Sequence, residues 1–471
     1  MKNALAVLFL ALGCVAAAAP PSDDIDHFAT VVLREISDLP SAGVAAVKDG
    51  RVVYLKNADT AYYIGSTTKA YTGLACAILA ARGQLDLDAP VSKYLPESNT
   101  AITLRAFLTH TSGIRNDGIV FRTAYSGEHT PQQLAALLRE SRTIQPGFRY
   151  DNLGYVVASL VIERITGKPW QQALDALVFQ PLGMTHTTAY MSKAKRWTMA
   201  TPYYRNRAGD IVPLQFEKVD ATMHAAGGIV TTPADLARWL LANLGKGRID
   251  GKQLIPAAAF DEALKLQVPA KADRGDFKGN GYAFGWYHAD FHGQHAMFHG
   301  GGYEGWHSWF TMLPEQQVGA GVLTNINGPP DDGADLIVSY ILDRLTDKPD
   351  LARDYAKRIV AVKDRVVTTK QMMIDEVAKR AQRPWSLPHP NAAYTGRYTN
   401  PVFGTMAIEE RGGKLYASIG RLTSLIEAFT KPESARVELT PGTGEPLFFE
   451  WSGGEKPGAV IWGEDRFIRV P

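Results

Sequence analysis

Ser66 and Lys69 stand three residues apart in GSTTKAY (65–71), directly after the strand-like run AYYI. A serine hydroxyl is a weak nucleophile until a neighbouring base takes its proton. Residues three apart on a helix share a face, so the Lys69 amine can reach the Ser66 hydroxyl. The N–H groups of a helix start also favour negative charge on the serine and disfavour a protonated lysine. Taken alone, S-x-x-K recurs by chance and a serine opening a helix is ordinarily an N-cap. Two further motifs carry more weight. Tyr150 and Asn152 form Y-x-N in FRYDNLGY, a loop ahead of an apolar helix that Asn152, read alone, would cap. His299 closes a strand-like run in MFHGGGYEG, and Gly300, Gly301 and Gly302 follow. Glycines on a strand admit a bulge, or the close approach of a ligand or another backbone.

Other polar residues fit structural roles. His292 and His295 in FHGQHAMFHG read as a hairpin tip rather than as metal ligands with His299, and neither metal nor cofactor is expected. His110 in LTHTSG is expected to fix a turn through hydrogen bonds. TPAD (232–235) matches a helix start with proline at the first helical position.

The elements that must position these residues follow from periodicity. Residues 24–36 have helical spacing, and AGVAAVKDGRVVYL reads as two strands joined by a turn. The stretch after Ser66 is apolar on most faces, as suits a helix buried inside a domain. Residues 86–260 alternate short amphipathic helices with loops. Strand patterns then return at YAFGWYHAD, HAMFHGGGYEG, HSWFTMLP and VGAGVLTNI, before an amphipathic helix at GADLIVSYILDRLTD. This order predicts an α+β fold: one antiparallel sheet of sequence-distant strands, flanked by helices, with a mostly helical insertion and a cleft where the two meet. Residues 350–385 read as a helical linker. Residues 386–471 read as short strands divided by Gly and Pro turns, a small β-barrel or sandwich.

Residues 1–19, MKNALAVLFLALGCVAAAA, have the layout of a signal peptide, and residues 20–349 then form the main domain. A periplasmic or secreted protein is expected. Lipid anchoring at Cys14 is the less favoured reading, because Leu12 before Gly13 fits that processing poorly. The apolar run from Ala4 to Ala19 is shorter than a bilayer span, and no membrane-spanning body is expected. Cleavage would leave Cys76 as the one cysteine, so the fold would rest on its core without an intramolecular disulfide. A formal net charge of +2, with Lys and Arg spread along the chain, gives no footprint for nucleic acid. A small molecule or a peptide is the expected partner, and the oligomeric state stays open.

In the order S-x-x-K, Y-x-N, H-x-G, the chain resembles the serine hydrolases related to class C β-lactamases and low-molecular-mass penicillin-binding proteins, a family that includes D-aminopeptidases and esterases. LTHTSGI (108–114), LDLDAPVSKYLPE (85–97) and AAGGIVTTPADLARW (225–239) add to the resemblance, which covers about residues 25–345. The C-terminal segment resembles the lipocalin-like β-domain of some members. The resemblance implies that Ser66 is acylated, that Lys69 and Tyr150 share the proton handling, and that Asn152 bonds the acyl side. It further implies an oxyanion hole from the backbone N–H groups of Ser66 and Gly302, with Gly301 and His299 on the same strand. His299 stands where the β-lactamases usually carry a lysine that holds a substrate carboxylate, which moves the expectation towards D-amino-acid amides, peptides and esters. The alternatives are a D-alanyl-D-alanine carboxypeptidase or weak β-lactamase, and a non-catalytic peptide-binding protein.

Overall fold

The turn KDG closes a hairpin between Ala42–Lys48 (β1) and Arg51–Lys56 (β2). Strand β1 is apolar at every position up to its final Lys48, as expected for a strand covered on both faces. Val44 and Ala46 enter one core, and Ala45 and Val47 enter another. A computed structural model describes residues 21–440 and 442–471; the expected signal peptide and Cys14 lie outside the described residues.

Six further strands complete the central sheet: Val268–Pro269 (β3), Phe277–Tyr282 (β4), Tyr287–Phe291 (β5), Gln294–Tyr303 (β6), Trp306–Leu313 (β7) and Val318–Thr324 (β8). Their spatial order is β3-β4-β5-β6-β7-β8-β1-β2, and every neighbouring pair is antiparallel. The run YAFGWYHAD, expected as one strand, is broken at residues 283–286. Gly285 there lies so close to the helix behind it that an added Cβ would sit 2.3 Å from the Ala70 nitrogen.

The helices that matter for the site are Pro21–Glu35 (α1), Thr68–Ala81 (α2), Leu153–Thr166 (α3), Pro233–Leu244 (α4), Asp331–Leu345 (α5) and Leu351–Ala381 (α6). One sheet face is covered by α1, α5 and the first half of α6, through Tyr355, Ile359, Val362 and Val366. The other face is covered by α4 and the helical insertion around α2 and α3. Helix α2 is buried from Thr68 to Leu79, and Cys76 within it is free and enclosed.

Residues 396–470 form a second, nine-stranded antiparallel sheet. Its two edge strands, Leu422–Leu425 and Glu427–Ala428, are consecutive in sequence, so the sheet curls into a nearly closed barrel. Tyr398, Met406, Ile408, Ala417, Leu447, Val460 and Phe467 fill it. The barrel docks on the helical insertion, where Phe121 packs against Phe403 and Trp462 and Gly118 lies against Val402. Among the described residues, no helix is long and apolar enough to cross a membrane.

Candidate active site

Ser66 sits in a single 3-10 turn, Gly65–Thr67, that runs directly into α2. The turn is fixed from below by Ile64, whose carbonyl accepts from Thr67 Oγ1 at 2.9 Å and from Ser308 Oγ at 2.7 Å. Ser308 lies on β7, so the sheet holds the turn through a side chain that the motif reading did not single out. Neither residue carries a local signal, because their partnership depends on sheet register.

Lys69 is fully buried, and its Nζ meets three oxygens: Asn152 Oδ1 at 2.7 Å, the Ala226 carbonyl at 2.9 Å and Ser66 Oγ at 3.1 Å. Burial lowers its pKa to about 7, against a smaller opposing pull from Asp151. A neutral amine has two N–H groups and one lone pair. Asn152 and Ala226 accept the two protons, which leaves the lone pair directed at the serine hydroxyl. Asn152 stands at the N-cap of α3 yet makes no capping bond with its side chain; Asp151 Oδ1 accepts from the Gly154 N–H instead. The helix start is thus satisfied by a neighbour, and Asn152 is free for Lys69.

Tyr150 keeps 39% of its surface exposed. Burial holds the phenol well above its ordinary pKa, while the nearby Ser66 hydroxyl favours the phenolate to a lesser degree. Its ring lies 4.8 Å from Lys69 Nζ, and packs on His110 at 4.6 Å and Tyr287 at 6.4 Å between centroids. His110 ties this loop to the sheet. Its Nδ1 accepts from the Asp151 N–H at 3.3 Å, and its Nε2 lies 3.1 Å from the Tyr282 hydroxyl. Burial holds His110 neutral, so the ring donates from Nε2.

His299 is 2% exposed, with Nδ1 2.6 Å from the Gly300 carbonyl and Nε2 without a partner. Burial first, then the charge of Lys69, push its pKa down to about 3. The ring is therefore neutral, donates from Nδ1 and offers a bare acceptor. Two residues on, Gly301 lies against the serine turn. A Cβ there would sit 2.0 Å from the Ile64 carbonyl oxygen and 3.0 Å from the Ser66 nitrogen, so only glycine fits. The Gly302 nitrogen in turn lies 2.9 Å from where a Cβ of Gly65 would be. The fold thus brings Ser66, Lys69, Tyr150, Asn152, His299, Gly301 and Gly302 together around the serine turn. Such a site can transfer a proton from serine to amine and hold a nascent oxyanion with backbone N–H groups.

The profile of the family described as Beta-lactamase matches residues 31–342. Protein flp of Staphylococcus aureus (strain NCTC 8325 / PS 47) is 26% identical over 333 residues, 65% of this chain and 64% of that protein. The chain thus spans under two thirds of that relative's length. Penicillin-binding protein 4 of Amycolatopsis lactamdurans is 25% identical over 62% of this chain and 82% of its own. Among solved structures, the octameric penicillin-binding protein homologue from Pyrococcus abyssi matches with a TM-score of 0.59 at 21% identity, covering 95% of this chain and 99% of that one. The D-stereospecific amidohydrolase from Streptomyces sp. matches with a TM-score of 0.52 at 25% identity, covering 64% and 94%.

Proposed function

Since the chain belongs to the beta-lactamase family, whose members are serine hydrolases, we propose that it is an exported serine hydrolase working through a Ser66 acyl-enzyme on small amides, peptides or esters, D-amino-acid derivatives foremost. The observation that carries this reading is Lys69, whose Nζ lies 3.1 Å from Ser66 Oγ and is held by Asn152 Oδ1 and the Ala226 carbonyl, with its pKa brought down by burial to about 7.

In this reading Ser66 donates its proton to the Lys69 lone pair and its oxygen attacks the substrate carbonyl. The negative oxygen that forms is met by the N–H groups of Ser66 and Gly302; removing one such donor costs about 3–4 kcal/mol in related chemistry. Tyr150, held as the phenol, passes a proton to the leaving amine or alkoxide and regains one from Lys69. Water then enters against the same groups and releases the acid. Asn152 orients Lys69 through Oδ1 and keeps its amide N–H for the acyl side.

His299 separates this reading from the carboxypeptidase alternative. A neutral ring with a bare acceptor gives no attraction to a substrate carboxylate, whereas the N–H of an amide or of an ammonium can donate to it. A D-stereospecific amidohydrolase among the structural neighbours supports the same direction. The test is hydrolysis of D-alanyl and L-alanyl p-nitroanilides by the protein and by Ser66→Ala. Turnover of the D-form, lost in the variant, supports the proposal; turnover that survives in Ser66→Ala refutes it.

A further inference from the structure

Gly300, Gly301 and Gly302 carry no side chains, so the stretch of β6 beside Ser66 must be placed from outside. Its partner is β7, with Gly300 opposite Trp309, Gly301 opposite Ser308 and Gly302 opposite His307. A Cβ on Gly300 would meet the Trp309 ring at 3.1 Å, and one on Gly301 would run into Ser308 Oγ. Around a Cβ on Gly302 there is nothing within 4 Å. Gly302 therefore depends for its place on main-chain pairing with His307. Side chains alternate along a strand, so His307 turns away from the face of Ser308 and shares that of Trp309, towards α5.

His307 is 3% exposed, and both its ring nitrogens face carboxylates at the start of α5. Nε2 lies 2.9 Å from Asp335 Oδ1 and Nδ1 lies 3.4 Å from Asp331 Oδ2. Burial opposes a charge on the ring, but the two carboxylates outweigh it and raise the pKa, which favours the form that donates from both nitrogens. Asp335 is bound a second time by Arg274, whose Nε donates to Oδ2 at 2.9 Å and whose guanidinium carbon lies 4.9 Å from the centroid of the Trp309 ring. One ion cluster thus reaches the β7 residues behind both ends of the glycine run. The turn that follows β6 is tied to the same region, because the Gly305 N–H donates to Asn327 Oδ1 at 3.0 Å on the loop between β8 and α5. Apolar packing could hold β7 on α5 as firmly; a charged ring between two fixed carboxylates adds direction.

We propose that His307 is a positioning residue of the hydrolytic site: clamped by Asp331 and Asp335, it locks β7 to α5 and so sets the Gly302 N–H against Ser66. This rests on the acyl-enzyme reading and names a residue that controls its oxyanion hole. The test measures the rate of fluorophosphonate labelling of Ser66, and the protection from labelling given by an alkyl boronic acid that mimics the tetrahedral adduct. Both are read beside a thermal melt in the protein, His307→Leu, His307→Gln and Asp335→Asn. A shift of up to about 1 Å in a reacting geometry can cost about 100-fold. His307→Leu and Asp335→Asn should label to completion but about 10- to 100-fold more slowly, with boronate protection weakened by a similar factor. His307→Gln keeps an amide N–H for Asp335 and should recover most of the loss. Variants that melt lower yet label and bind boronate as the protein does would overturn the proposal and leave the cluster a structural one; so would His307→Gln as slow as His307→Leu. Should His307→Leu fail to fold, Asp335→Asn decides by the same readings. Absence of labelling in the unaltered protein would instead refute the serine-hydrolase reading itself.

Discussion

Lys69 is the base proposed for Ser66, and its protonation sets the activity. Its pKa lies near 7, so the neutral, proton-accepting form accumulates as pH rises through that value. Activity should rise with pH along a limb of apparent pKa about 7. His299, with a pKa of about 3, should add no limb between pH 5 and 9. Lys69→Met fills the same space without a base; it should lower kcat about 10²- to 10⁴-fold and erase the limb, as measured in a pH–rate profile. The three motifs singled out Ser66, Lys69, Tyr150, Asn152 and His299 in the sequence, and the fold brings these residues together. What could not be read was the state of each group. Asn152 holds the N-cap position of α3 while Asp151 makes the capping bond, and the second acceptor of Lys69 is a main-chain carbonyl, which no side-chain pattern announces.

At the scale of the element, strand β6 must lie flush against the serine turn. Gly301→Ala would drive a methyl into the Ile64 carbonyl and push the strand from Ser66. Activity should fall at least about 100-fold with a folded protein remaining, the size of losing an oxyanion donor, as checked by kcat/KM beside a thermal melt. Ser308→Ala removes one of two donors to the same carbonyl and should cost about 1 kcal/mol of stability by chemical denaturation. The strands themselves were readable from alternation, apart from YAFGWYHAD. That break follows from the approach of Gly285 to α2, a tertiary contact with no local sequence signal. The bond from Ser308 to Ile64 is likewise set by register across 244 residues.

At the scale of the molecule, the barrel and the helical insertion share an interface with an apolar centre and charged edges. Phe121 is 8% exposed and touches Phe403 and Trp462, whereas Arg207, which pairs with Glu427 and Glu438, has 56% of its side chain in solvent. Phe121→Ala should cost about 3–5 kcal/mol and open the barrel to limited proteolysis. Arg207→Ala should cost under about 1 kcal/mol and leave proteolysis unchanged. The turn spacing after residue 386 announced a small β-structure, but its near closure and its docking against Tyr125 and Phe216 depend on pairing that sequence spacing does not encode.

The central claim is that Ser66 is the nucleophile. Its most direct test is to treat the protein at pH 8 with a fluorophosphonate, digest it and weigh the peptide that contains residues 65–69, with Ser66→Ala alongside. One adduct per chain on Ser66, and none in the variant, is the expected result. An adduct that persists in Ser66→Ala, or its absence from protein that turns over substrate, would contradict it.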